Sequence, residues 1–293
     1  MIVCRSAAEL ERLTRVNQLV ARVLRELRGM VVPGVTTAEL DEVAEARLRE
    51  VGAEPAFKGY HGYPATICAS INEQVVHGIP SARALVAGDI LSIDMGAKLE
   101  GFYGDCAVTV PVGEVDEDAA RLLQVTEAAL YRGIDQVRAG ARVSDIGAAV
   151  QVYVEAAGFS VVREFVGHGI GTKLHEEPQI PNYGMPGRGP RLAEGMVLAI
   201  EPMVNFGQAG VKVLGDGWTA VTRDGSLSAH FEHTVVVVNG GNRILTALPG
   251  TSESANPEAE RNTGGRQRRR AELEPGAGLD SRRGKTATRG ARL

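Results

Sequence analysis

Ionised carboxylates are rare inside apolar, strand-like runs because burial strips their hydration. This 293-residue sequence carries four such acids. Asp94 and Asp105 sit in ILSIDMGAKLEGFYGDCAVTV, Glu201 in VLAIEPMV and Glu232 in SAHFEHTVVVV. A fifth group, His168, follows a strand-like run in VVREFVGHGIGTKLHEEPQIPNYG, beside glycines that let backbone pass close to a ligand. Each has a bland reading: turn-flanking or ion-paired acids for the aspartates, edge-strand charges for the glutamates, a satisfied turn histidine for His168. Taken together, two Asp, two Glu and one imidazole form a hard, oxygen-rich donor set that suits a divalent ion such as Mn, Fe(II), Co or Zn. A Cys-rich structural zinc site is a poor match. A site of this kind with two ions would activate a bridging water near neutral pH.

The aspartates test the idea geometrically. If their two runs form a hairpin turning at Lys98-Leu99-Glu100-Gly101, Asp94 and Asp105 fall directly opposite each other on one side of the sheet. Opposed residues have Cβ atoms about 5 Å apart, and paired metal ions lie about 3.5–4 Å apart. Two like charges so placed destabilise a hairpin unless a cation neutralises them.

The elements that must hold these residues show a repeated order. AAELERLTRVNQLVARVLRELRG, ending at Gly29, and TTAELDEVAEARLREVG, opening on a Thr cap and closing at Gly52, have apolar residues at helical spacing. Strand-like pieces follow in ATICASIN and DILSIDMGAKLEGFYGDCAVTVPV. A second helical pair, DEDAARLLQVTEAALYRGIDQVR and RVSDIGAAVQVYVEAAG, then leads into a second β-rich region. The fold class is α/β in the α+β sense, two similar halves with the site expected at their seam.

Composition bounds the rest. The 44% apolar content and formal charge of −4 describe a globular chain with no dominant polyanionic partner, so DNA is not implied. Cys4, Cys68 and Cys106 are odd in number and widely spaced, which fits a reducing, cytoplasmic compartment better than a disulfide framework. The first residues lack the pattern of an export signal, and no run has the length of a membrane span. From residue 251 onward there is no aromatic residue, valine or isoleucine. That segment, 251–293, is expected to be a disordered basic tail. It holds ten of the 32 Lys and Arg and six of the 36 Asp and Glu, a net +4, which leaves residues 1–250 with 22 against 30, a net −8. A solvated appendage is one expectation for the tail, and a loose electrostatic contact with RNA or another polyanion the other.

HGYPATICASINEQVVHGIP, IDMGAKLEGFYGDCAVTV, GHGIGTKLHEEPQIPNYG, MVLAIEPMV and DGWTAVTRDGSLSAHFEHTVVV, in that order, resemble the type I methionine aminopeptidases, M24 metallopeptidases of short bacterial form. The likeness spans roughly residues 5–248. It implies the pita-bread fold, a pseudo-twofold pair of helix-helix-strand halves around a central antiparallel sheet, and a catalytic domain over 1–250. It also implies removal of initiator methionine from nascent chains when the second residue is small, by a monomer using two divalent ions (Co, Mn, Fe(II), Zn or Ni). By the same resemblance Asp94 is a bidentate ligand of one ion, Asp105 and Glu232 bridge both, and His168 and Glu201 complete the other. Glu201 is the implied proton-shuttling base, His77 the donor to the scissile amide and His175 the donor to the carbonyl oxygen. Tyr60, Tyr63, Cys68 and Trp218, with Phe57 and Leu174, are the implied methionine pocket, whose thioether suits aromatic and sulfur neighbours. Phe57 and Leu174 depart from residues common at these places. His61, His230 and His233 receive no role, and Cys106 is expected on the opposite face from Asp105. Prolidase and aminopeptidase P relatives share the five ligands, and a pita-bread module that has lost catalysis is the reading from another class.

Overall fold

The computed structural model describes residues 2–248; the tail assigned to 251–293 lies outside the described residues. Four helices carry the two halves: α1 (Ala7–Met30), α2 (Thr37–Glu50), α3 (Glu117–Ile134) and α4 (Val143–Ala156). The starts of α1 and α2 are written in the sequence. Ser6 caps α1 with a reciprocal bond from Glu9, and Thr36 caps α2 in the same way with Glu39. Each such cap contributes about 1 kcal/mol. Gly52, just past α2, takes φ 71°, the left-handed geometry that ends helices.

One antiparallel sheet joins the halves. Its strands run in the order Glu54–Pro55, Ile90–Leu99, Phe102–Pro111, Glu232–Val238, Val197–Ile200, Gly167–Gly169, Glu176–Ile180, with Ile67–Ile71 also pairing Ile90–Leu99 and Gly241–Ile244 pairing Glu232–Val238. The first three strands come from the first half and the next four from the second, so the seam lies between Phe102–Pro111 and Glu232–Val238. Each half has its own core. Leu13, Val16, Val20, Leu24 and Leu27 of α1 pack with Leu40, Ala44 and Leu48 of α2 over the first-half strands. Leu122, Leu130 and Ile134 of α3 join Ile146, Val150 and Val154 of α4 over the second. These are the stripes that the helical spacing predicted.

The hairpin corrects one expectation. Leu99 pairs with Phe102, so the turn is the two-residue Glu100-Gly101, not the four-residue span centred one residue earlier. Both turn residues have positive φ, 50° and 81°, as a type I′ turn requires. Asp94 therefore faces Ala107, and Asp105 faces Gly96. The register differs by two residues, and because side chains alternate with period two, both aspartates stay on one face. Replacing Gly101 with Val should cost about 1–3 kcal/mol through the forced positive φ, lowering Tm by about 2–4 °C per kcal/mol. Thermal unfolding in chelator measures this, and an unchanged Tm contradicts the turn assignment.

Candidate metal centre

Register brings the acids together. Ala107 is the Cα partner of Asp94 on one side and of Glu232 on the other, so these acids lie in one row with only a methyl group between them. Asp105, two residues before Ala107, shares that face. His233 pairs with Ile200, which places Glu201 beside Glu232, and His168 pairs with Ala199, two residues before Glu201. All five groups thus converge on one side of one sheet. Ligand atoms of Asp105, His168 and Glu232 lie within 4.8 Å of one another, and His168 Nε2 is 3.4 Å from Glu201 Oε1.

The electrostatics are unfavourable as they stand. Burial pushes the Asp94 carboxyl up to about 7. Burial, then the neighbouring acids, raise Asp105, Glu201 and Glu232 well above the usual carboxylate range. No lysine or arginine is among the described residues lining the cavity. Asp94 Oδ1 and Glu232 Oε1 are buried with no hydrogen-bond partner among the described residues. Buried oxygens without a partner are costly, and a divalent cation would satisfy both. His168 fits too. Its Nδ1 is 3.0 Å from Gly169 O, so the ring N–H belongs there and Nε2 presents its lone pair to the acids.

The same cavity, open to solvent and enclosing about 840 Å³, receives every other residue singled out from the sequence. His77 enters it from a left-handed backbone position, φ 60°, with its ring edge-on to Phe165 at 5.3 Å. His175 stands at the exposed mouth with Nδ1 2.8 Å from Tyr60 Oη, and its ring lies 4.3 Å from that of His168. Trp218 meets Tyr63 edge-on at 5.1 Å. Cys68, the cross-strand partner of Asp94, lines the inner wall with Leu174 and Phe57. Phe57 owes its place to Gly96, where a Cβ would come within 2.8 Å of its ring.

Sequence reading missed several participants. His61, Val76, Phe165, Val166, Met203 and His230 also line the cavity. Most are apolar residues with nothing in their spacing to mark them. His233 lies on the far face, with Nδ1 2.8 Å from Thr246 Oγ1 and Nε2 3.3 Å from Tyr131 Oη. Cys106 is there as well, its Sγ 3.0 Å from Glu232 O, as strand alternation predicts. Glu176, which has no role in the sequence analysis, organises the loop that carries Leu174 and His175. Its Oε1 accepts from the Thr172 and Lys173 backbone N–H groups at 2.8 and 3.1 Å, and its Oε2 is paired with the buried Arg5 guanidinium.

Residues 11–239 match metallopeptidase family M24. A relative named methionine aminopeptidase 1, from Bacillus subtilis, is 53% identical over 85% of this chain and 100% of its own length. This chain belongs to family M24, in its methionine aminopeptidase branch. The crystal structure of a Thermotoga maritima methionine aminopeptidase superposes with a TM-score of 0.83 at 46% identity, covering 85% of this chain and 100% of that one. A Bacillus anthracis Xaa-Pro dipeptidase, 22% identical, covers 85% of this chain and 63% of its own at a TM-score of 0.67, and shares the fold. The fold is the pita-bread fold of the M24 peptidases on which it superposes, and among the described residues of this chain no helix is long and apolar enough to cross a membrane.

Two outcomes follow. The raised carboxyls hold more protons in the native than in the unfolded state, where Asp titrates near 3.9, so the stability they contribute is greatest at low pH and is lost as pH rises, for Asp94 through about 7. The buried histidines, held down to about 4 for His77 and about 3 for His168, act in the opposite sense only below the ordinary imidazole value near 6.5. In chelator, Tm should drop between pH 6.5 and 8, where the histidines are neutral in both states. Asp94→Asn should flatten that slope and saturating Mn(II) should abolish it, whereas a flat wild-type profile in chelator contradicts the assignment. Separately, Arg5→Ala leaves the half-buried Glu176 without its cation, and amide exchange at Thr172 and Lys173 should quicken by about tenfold or more.

Proposed function

We propose that this M24 peptidase removes the N-terminal methionine of nascent polypeptides whose second residue is small, with two divalent ions held by Asp94, Asp105, His168, Glu201 and Glu232. The observation that carries the reading is the convergence of those five side chains on one sheet face, lining one cavity, with two buried, unpartnered oxygens. The full-length match to relatives named methionine aminopeptidase supports the substrate. The bound ions would supply Lewis acidity to the scissile carbonyl and to the attacking water.

The chain's own groups do the remainder. Glu201, whose Oε1 lies 3.4 Å from His168 Nε2 within the acid cluster, would take a proton from the attacking water and return it to the leaving amine. His77, held down to about 4 chiefly by burial, stays neutral and donates to the scissile amide. Tyr60 Oη, 2.8 Å from His175 Nδ1, donates to that nitrogen and leaves the N–H at Nε2, free to meet the carbonyl oxygen as negative charge develops. The methionine side chain lies among Phe57, Tyr63, Cys68, Leu174 and Trp218, with Tyr60 at the rim. Substrates of this kind suit a cytoplasmic enzyme, which on this reading acts as a monomer, and the net +4 of 251–293 suits a loose ribosome contact.

Metal-loaded enzyme should cleave Met-Ala-Ser well, Met-Leu-Ser poorly and X-Pro peptides not at all; preferential X-Pro cleavage would establish the prolidase reading instead. Asp105→Asn should reduce turnover by about 100-fold or more, yet melt no lower in chelator, because it removes one like charge from the cluster. Full turnover at full metal occupancy by this variant contradicts the ligand assignment.

A further inference from the structure

Glu201 has an imidazole on each side. His168 Nε2 lies 3.4 Å from its Oε1, and His230 Nε2 lies 3.8 Å from its Oε2. The two rings are not equivalent. His168 carries its N–H at Nδ1, directed to Gly169 O, so a lone pair faces Oε1. A lone pair and a carboxylate oxygen at that distance repel unless a cation lies between them. With an ion held as proposed above, Oε1 would be the ligating oxygen and Oε2 would be left needing a donor.

His230 is built to be that donor. It is 2% exposed, and its Nε2 is buried without a hydrogen-bond partner among the described residues. Its backbone is pinned from both sides by one hydroxyl: Thr109 Oγ1 accepts from His230 N and donates to His230 O, each at 2.8 Å. The backbone that carries the ring is thus fixed relative to the sheet, while the Glu201 carboxylate turns on a soft terminal torsion. A small rotation brings Oε2 from 3.8 Å to hydrogen-bond distance.

We propose that His230 is a positioning residue for Glu201, its Nε2–H donating to Oε2 and holding Oε1 toward His168 and the ion. Outer partners of this type orient a ligand and raise its affinity for metal. The proposal rests on the metallopeptidase reading. It also names a role for a histidine that neither the motif reading nor the five-ligand set uses.

The test compares wild type with His230→Leu and His230→Gln. Mn(II) affinity is measured by titration calorimetry and the visible absorption of Co(II)-loaded protein is recorded. Leucine removes the donor and should weaken Mn(II) binding by about 10–100-fold, shift the Co(II) bands, and lower kcat on Met-Ala-Ser with little change in KM. Glutamine places an amide N–H where Nε2 stood and should keep affinity within about threefold of wild type, on the same expectation. If the leucine variant does not fold, His230→Asn, whose amide stops short of Glu201, takes its place and should behave as leucine would. Unchanged affinity and spectrum in the leucine or asparagine variant overturn the proposal, as does a glutamine variant as weak as leucine. A wild type that binds no Mn(II) or Co(II) overturns the metallopeptidase reading itself.

Discussion

Four carboxylates share one buried cavity, and their mutual repulsion is the constraint around which the rest of the chain is arranged. At a separation of 4 Å two unit charges repel by about 4 kcal/mol at the effective dielectric typical of proteins. Several such pairs would cost a large part of a normal stability of about 5–15 kcal/mol. The native state can relieve the repulsion by taking up protons or by binding cations, and the raised carboxyl values describe the first route. The unpartnered Asp94 Oδ1 and Glu232 Oε1 describe the space left for the second.

Groups that repel must be held by something stiffer than a loop. The aspartates sit mid-strand on a hairpin of two ten-residue strands, and α1 buries its apolar stripe against that half. Glu232 opens a strand packed from behind by α3 and α4. No single half contains the site: Asp94 and Asp105 come from one, His168, Glu201 and Glu232 from the other. The seam pairing of Glu232 with Ala107 is what brings the two sets into reach. Duplication of the helix-helix-strand order thus supplies a rigid wall on each side of a charge cluster that neither wall could hold alone.

How much of this was legible follows from what each residue's neighbours reveal. A carboxylate in an apolar run announces itself, since nothing else in the run explains it, and Asp94, Asp105, Glu201 and Glu232 were all found that way. Side-chain parity was legible too. Register was not, because Glu100-Gly101 and a turn centred one residue earlier both use the same glycine, and only the strand pairing decides. His230 was read past because its signal is three-dimensional: it lies two residues before Glu232, but its partner is Glu201, on another strand's end. Glu176 was lost for the opposite reason. It sits next to His175 in sequence, and its work is done by accepting from backbone groups of its own loop and pairing with Arg5, 171 residues away.

The histidines complete the electrostatic logic. Burial lowers His77 to about 4 and His168 to about 3, and it lowers His175 as well. Cationic imidazoles here would neutralise the acids and close the site to divalent ions, so their neutrality is a condition for metal binding as much as a consequence of burial. Neutral rings still donate one N–H each, and where that proton sits is decided by a fixed acceptor or donor: Gly169 O for His168, Tyr60 Oη for His175. The cavity therefore divides its labour by charge. In the proposed peptidase reading, anionic oxygens on the strands would hold the cations and uncharged donors would face the substrate, where a positive group would compete with the ions and with the incoming amino terminus.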